Sequence, residues 1–349
     1  MISTFTSSRC QGNESNHPSS SKQRRDREPF VINPVFPDSR IPNAIVGTEV
    51  RANLVKWQSP PDPSINHSIE SGRQLFGTAK WFLEEDMFNG WKVSDSLMWI
   101  HGKRIFCLPF TTPVNSRIIP FSSGFREKCA LVRLQSVSAI LENSSSSGSS
   151  AIINDIAAMC EAGSASMAYF YFDSRDLKKQ SSYDLLSSLL VQLSARSDLF
   201  CDILLRVYVA LDHGKRIPSE DTLKQCLKEM LRLPGHGPVY IIIDALNECP
   251  NSFNIPSPRD EALQLIKELV DLHLPNLRLC VTSRPEVDIR AVFESLASHG
   301  ISLHDQIGQQ RDIAHYVRSV VYYSSSAMGW SEADEQHIIE TLSERANGM

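Results

Sequence analysis

No run of about 18 apolar residues occurs in this 349-residue chain, and a membrane-crossing helix needs roughly that many. The opening Met1-Ile2-Ser3-Thr4-Phe5-Thr6 has no apolar core of the kind a secretory leader requires. The eight cysteines are scattered and form no C-x-x-C pair, which argues against a zinc site. Several fall inside predicted helices or strands, where Cys acts as a small buried hydrophobe. A reducing, intracellular compartment follows as the expectation, and a cytoplasmic one is taken. Net charge is −5 and there is no basic stripe, so no general affinity for nucleic acid is expected. The one short basic cluster, Lys22 to Arg27, reads as a solvated charge run rather than an import signal. The partners left to expect are other proteins, with neither nucleic acid nor membrane among them.

What the chain does contain is an apolar fraction of 42%, enough for a core, and a length that allows two domains or one large α/β domain with appendages. Residues 1–30 are rich in Ser, Asn, Gln and Arg and are expected to be a disordered tail. Residues 31–95 read as helical: a helix over Val46–Lys56, a break at Ser59-Pro60-Pro61-Asp62-Pro63, and a second helix over Thr78–Phe88. Leu97–Ile100 is a short apolar strand running into His101-Gly102-Lys103. Residues 104–150 carry no sustained period, apart from a short helix or strand around Ala130–Leu141, and end in a serine tract, Ser144–Ser150, that reads as linker.

Order returns at Ala151. Ile152, Ile153, Ile156, Met159 and Cys160 make a helical stripe, and Met167–Phe172 is a strand ending in Asp173. The aromatic run within that strand, Tyr169 to Phe172, reads as core rather than as a stacking platform. Leu186, Leu189, Leu190 and Leu193 mark a helix, another follows from Leu199, and Ser219 caps a third. The strand Val239–Ile243 runs straight into Asp244. Ser257 is the expected N-cap of the next helix, with Pro258 at its first position and Asp260 at the positive end of its dipole. Leu277–Thr282 is a further strand followed by Ser283-Arg284-Pro285. Ile301–Leu303 reads as a last strand, and Asp312 starts a helix to Tyr322. This alternation of strand and helix predicts an α/β fold with a mainly parallel sheet and helices on both faces.

In such folds ligands bind at the carboxyl ends of the strands. A carboxylate there, at the end of a buried apolar strand, is how phosphate-binding NTPases present the acid that holds Mg²⁺. Asp244 fits that position, with a plain strand cap as its other reading. Arg284, at the tip of the following strand, suits a group that senses a terminal phosphate, with a surface salt bridge as its other reading. The third element of such a site is G-x-x-x-x-G-K-[S/T], whose amides and lysine hold phosphates. Gly102 stands where its first glycine belongs, but no Gly-Lys-Ser or Gly-Lys-Thr occurs in the chain. Gly214-Lys215 runs into Arg216 between helices and is no substitute. Each lost charged hydrogen bond removes about 1.5–3 kcal/mol from phosphate binding.

Several segments together resemble a known family. They are Gly77-Thr78-Ala79-Lys80-Trp81-Phe82, Ser96 to Lys103, Ala168 to Asp173, Ile241-Ile242-Ile243-Asp244-Ala245-Leu246-Asn247-Glu248-Cys249-Pro250 and Cys280-Val281-Thr282-Ser283-Arg284-Pro285. With them the chain resembles the NACHT-type P-loop NTPases of the STAND class, in the large fungal group labelled nephrocystin-3-like N-terminal domain. The resemblance implies a P-loop NTPase fold that binds ATP or GTP with Mg²⁺, switches between closed and open states in signalling, and self-oligomerises. It makes Asp244 the Walker B acid that holds Mg²⁺, Arg284 a sensor and Gly102 part of the nucleotide loop. Glu248 becomes the catalytic member of a distal acidic pair that positions water, although Asn247 stands where the family often has Asp. The core would span 96–305, with 104–150 an atypical insertion matching nothing in the family. Residues 306–349 would begin a helical subdomain cut short at Met349, as in a fragment. Residues 104–150 have two explanations. One is a retained intron or frame error, since Leu141-Glu142-Asn143 can be encoded so that a shifted frame reads Gly-Lys. The other is divergence to a nucleotide-blind remnant that serves as a protein-interaction module.

Overall fold

A computed structural model of the protein describes residues 47–73, 79–94, 96–102, 144–252, 256–303, 306–328, 331–333, 335–337 and 339–340. The expected disordered tail over 1–30, the element around Ala130–Leu141, the Leu141–Asn143 frame clue and the end of the C-terminal extension lie outside the described residues. Five strands form one sheet: β1 Leu97–His101, β2 Ser166–Tyr171, β3 Val239–Asp244, β4 Leu277–Ser283 and β5 His299–Ser302. Their order is β2-β3-β4-β1-β5 and every pairing is parallel. The central strands β3 and β4 are buried at every position, which is why β3 reads as an apolar run rather than an alternating one. The expected α/β fold with a mainly parallel sheet is the one observed.

Successive side chains of a strand point to opposite faces, and here both faces are covered. On one lie α3 (Lys80–Leu83), α4 (Asp86–Val93) and α5 (Ser144–Glu161). They pack Phe82, Phe88, Trp91, Ile152 and Ile156 against strand residues such as Ile100 and Ile242. On the other lie α1 (Thr48–Gln58), α6 (Ser182–Arg196), α7 (Asp198–Ala210), α8 (Glu220–Arg232), α9 (Pro258–Val270) and α10 (Val287–Leu296). There Leu189, Leu193, Leu227 and Ile266 meet Trp99, Ile241, Ile243 and Leu279. Each such fully buried aliphatic side chain contributes about 1.5–3 kcal/mol. The remaining helices are α2 (Ser64–Arg73) and α11 (Ile307–Met328). Among the described residues, no helix is long and apolar enough to cross a membrane.

Local signals are honoured where the chain caps itself. Ser219 accepts from Thr222 N–H. Ser257 and Asp260 form a reciprocal capping box with Pro258 beside them. Three expectations are corrected. The helix foreseen over Thr78–Phe88 is broken into α3 and α4, with Ala79 at φ 62. In one continuous helix Phe82 and Phe88 would lie about 120° apart. The break turns both onto the sheet, with their rings 5.2 Å apart. Asp312 does not start a helix, because α11 begins at Ile307. Instead the Asp312 carboxylate accepts from Ala79 N–H at 2.7 Å and Trp81 Nε1–H at 2.9 Å, tying α11 to α3. The serine tract is not linker either: Ser144–Ser150 forms the first turns of α5.

The junction between α3 and α11 is tight. A Cβ at Gly308 would stand 2.2 Å from the Trp81 ring, so only glycine lets the helix approach this closely. Gly308→Ala should therefore lower the free energy of unfolding by about 1–3 kcal/mol, the usual cost of overpacking. Urea denaturation checks it, with a lower midpoint expected at unchanged slope.

Candidate functional site

The carboxyl edge of the sheet gathers the tips of β1, β3 and β4 beside the first turns of α5. At its centre is Asp244, the last residue of β3 and only 3% exposed. A buried carboxylate is costly unless it receives hydrogen bonds. Thr282 Oγ1, one strand over in β4, donates to Asp244 Oδ1 at 2.6 Å, and Ser149 Oγ donates to the same oxygen. Thr282 Oγ1 also accepts from Ala245 N–H at 3.0 Å. That bond pins the left-handed residue, φ 54, which turns the chain away from the strand into the 3-10 turn Leu246–Glu248.

Arg284 follows β4 directly. Its backbone N–H donates to Asn247 Oδ1 at 2.9 Å. Its guanidinium is half-buried and has no hydrogen-bond or ion-pair partner among the described residues. Glu248 does not stand free beside Asp244: its carboxylate accepts from Ser174 N–H at 3.1 Å and Ser174 Oγ at 3.3 Å, bracing the loop after β2. In that loop Asp173 is bound by Arg175, whose hydrogen bond holds the Asp173 carboxyl below its ordinary pKa. Gly102 directly follows β1, as expected, and its N–H donates to Ser283 O at 3.4 Å. A Cβ there would meet Leu303 at an ordinary 3.8 Å, so the position does not demand glycine. Because β4 lies between β1 and β3, Gly102 and Asp244 sit two strand spacings apart, about 10 Å.

Sequence reasoning missed Ser149 and Thr282. In phosphate-binding NTPases the loop Ser or Thr and the strand-end Asp jointly hold Mg²⁺, and the Ser149–Asp244 contact has that arrangement. Both supply hard oxygen ligands, the donor type Mg²⁺ prefers. Among the described residues no group of three or more His, Cys, Asp or Glu could hold a metal by itself. The phosphate half fits less well. Gly148 precedes Ser149 where the lysine belongs, and residues 144–148 are already helical, so their amides run along the helix axis rather than around a phosphate. A clue lay in the sequence, since the tract ends in Gly148-Ser149-Ser150, a lysine-free echo of the loop's end.

A second polar chain runs beside the first. Ser150 is fully buried, and its Oγ lies 3.4 Å from the Tyr171 hydroxyl. That hydroxyl lies 3.2 Å from His67 Nδ1 in α2, and His67 Nε2 lies 3.2 Å from Asn154 Oδ1. With an amide oxygen facing Nε2, the proton sits on Nε2, and Nδ1 accepts from Tyr171. Thus α2 is strapped across α5 and the end of β2. The expected core strand is confirmed around it: Phe170, Tyr171 and Phe172 are buried. Cys201, Cys226, Cys249 and Cys280 are buried too, and burial pushes the Cys249 thiol up to about 12, as for an inert core residue. His236 bonds to Gly237 O, and His101, the last residue of β1, packs on Trp99 with ring centroids 4.3 Å apart.

The family model described as Nephrocystin 3, N-terminal, matches residues 136–284. Ser149, Asp244, Glu248 and Arg284 all lie within the match. It begins inside the 104–150 segment and takes in residues 136–150. No curated protein matches. One solved structure, titled as Drosophila ORC bound to AT-rich DNA and Cdc6, is similar to this chain at 10% identity and a TM-score of 0.28. That similarity covers 84% of this chain and 39% of the other, so the chain spans well under half of that relative. The parallel sheet and the Ser149–Asp244 contact stand beside a family match that covers less than half of the chain, residues 136–284.

Two outcomes follow. Thr282→Val removes both the donor to Asp244 and the acceptor for Ala245 N–H while keeping the side chain's shape. It should destabilise the fold by about 1–3 kcal/mol, measured by chemical denaturation. Burial holds the His67 imidazole below its ordinary pKa, against a smaller opposing effect of its bond to Asn154. As pH falls, the unfolded chain therefore takes up this proton first. The His67 contribution is complete above the ordinary value of 6.5 and is lost below it, down to the folded pKa. His67→Gln should flatten the fall in urea midpoint between about pH 7.5 and about pH 5.5.

Proposed function

We propose that this chain is a nucleotide-binding signalling module of the NACHT type, with Asp244 and Ser149 holding the Mg²⁺ of a bound ATP or GTP. The observation that carries this is the buried Asp244 carboxylate sharing one oxygen between Thr282 and the α5 hydroxyl of Ser149. Arg284 supports it, as a cation at the next strand tip whose guanidinium has no partner among the described residues. Mg²⁺, when bound, would neutralise phosphate charge there. The chain's own residues orient that charge: Thr282 aligns the carboxylate, and Asn247 fixes the backbone that carries Arg284. Affinity is weakened by the missing lysine, and Glu248, engaged with Ser174, leaves turnover slow. A conformational response to nucleotide and contacts with other proteins, including further copies of this chain, complete the proposed role.

A second reading has its own observation. Residues 144–148 form helix where a phosphate loop would have to be open, which favours a nucleotide-blind module that acts through protein contacts alone. Titration with fluorescent ATP and GTP analogues separates the two. Saturable binding that requires Mg²⁺ and weakens about tenfold or more in Asp244→Asn, a loss of at least about 1.4 kcal/mol, is the expected result. No saturation at about 5 mM nucleotide, with the circular dichroism of a folded chain, sinks the nucleotide role in favour of the second reading.

A further inference from the structure

Arg259 is a charged residue in the core, 5% exposed, and it occupies the first turn of α9. A cation there opposes the helix dipole, so local structure does not account for it. Its guanidinium reaches two other segments instead. Nη2 donates to Asn247 O at 2.6 Å and Nε to Cys249 O at 2.9 Å, both in the turn that leaves Asp244. Nη1 donates to Glu286 at 2.5 Å and to Asp288 at 3.2 Å, both in the segment that leaves Arg284. The two segments are also bonded to each other. Arg284 N–H donates to Asn247 Oδ1 at 2.9 Å, and Glu286 N–H donates to Arg284 O at 2.9 Å. The result is a closed ring running from Arg259 through Asn247, Arg284 and Glu286 back to Arg259.

Anchoring α9 alone needs no buried ion pair, since apolar residues of similar volume serve stability as well or better. What a guanidinium adds is a rigid planar fork that fixes the separation and angle of the groups it joins. Here the joined groups are the tips of β3 and β4. We infer that Arg259 is a positioning residue that sets the Arg284 segment against the Asp244 turn, so that guanidinium and carboxylate face a bound nucleotide at one fixed spacing. The nucleotide part of this rests on the function proposed above; the positioning part does not. The ring also gives Asn247 a role: its side chain holds the Arg284 backbone, a task that needs an acceptor oxygen and not a charge.

Arg259→Lys tests the inference, because it keeps the charge but cannot span both carbonyls and both carboxylates. Hydrogen exchange of the Arg284 amide is read in the full chain, with the Ile242 amide in the middle of β3 as internal reference. The expected result is exchange at Arg284 faster by about tenfold or more with Ile242 unchanged, and a similar rise in the Kd for a fluorescent ATP analogue with Mg²⁺. Should Arg259→Lys fail to fold, Asn247→Ala removes the acceptor for Arg284 N–H while leaving the Asn247 carbonyl to Arg259, and it should give the same acceleration. Asn247→Asp, which keeps an acceptor oxygen, should restore slow exchange. Unchanged Arg284 exchange in the folded variants overturns the inference, as does exchange that rises equally at Ile242, which is plain loss of stability. If the unaltered chain binds no nucleotide, the proposed function falls, and the exchange of Arg284 alone decides whether Arg259 positions it.

Discussion

The tip of β3 depends on one constraint: a carboxylate taken out of water must be given hydrogen-bond donors. Asp244 is buried at the end of a strand, between Ile243 and Ala245. Its donors come from β4 through Thr282 and from α5 through Ser149. Meeting that need brings three elements to one point. The same Thr282 oxygen holds the Ala245 N–H, so the left-handed turn beyond the strand is set by the same side chain. From that turn the chain delivers Leu246 to the core and Asn247 and Glu248 to the neighbouring loops.

Around this point the fold divides its labour between its two faces. The face carrying α3, α4 and α5 brings hydroxyls to the carboxyl edge, and α2 and α11 are fastened to it by polar contacts at His67 and Asp312. The opposite face packs a large aliphatic and aromatic cluster, with Arg259 buried at its edge. A rigid apolar scaffold with polar groups confined to one edge is the arrangement that lets a parallel sheet present a ligand site. Here the edge carries the Asp244 carboxylate with the hydroxyls of Ser149 and Thr282. Residues 144–148 beside it are helix.

Much of this was legible in the chain. The apolar run of β3 predicted a buried parallel strand, because strands covered on both faces need no alternation. Ser257, Pro258 and Asp260 predicted the start of α9, because capping is a local interaction within one turn. Asp244 and Arg284 were read at the ends of successive strands from the strand pattern, and they lie there. Ser144–Ser150 was misread because serine favours turns and caps over helix interiors; burial of Ser149 and Ser150 against Asp244 and Tyr171 outweighs that preference. The break between α3 and α4 was hidden because periodicity treats Phe82 and Phe88 as one helix, whereas the sheet requires both on its surface.

By itself, then, the sequence determined what depends on neighbours within a turn or on the pattern of one strand: most element types, the caps, a mainly parallel sheet and the acid at the end of β3. Only tertiary structure decided the strand order that places β4 between β1 and β3, the donors that Asp244 receives, the engagement of Glu248 with Ser174 and the ring through Arg259. The physical reason is range. Caps and strand patterns are settled by residues a few positions apart, whereas a buried charge is satisfied by whichever donors folding brings to it, and those lie 38 positions away in Thr282 and 95 in Ser149.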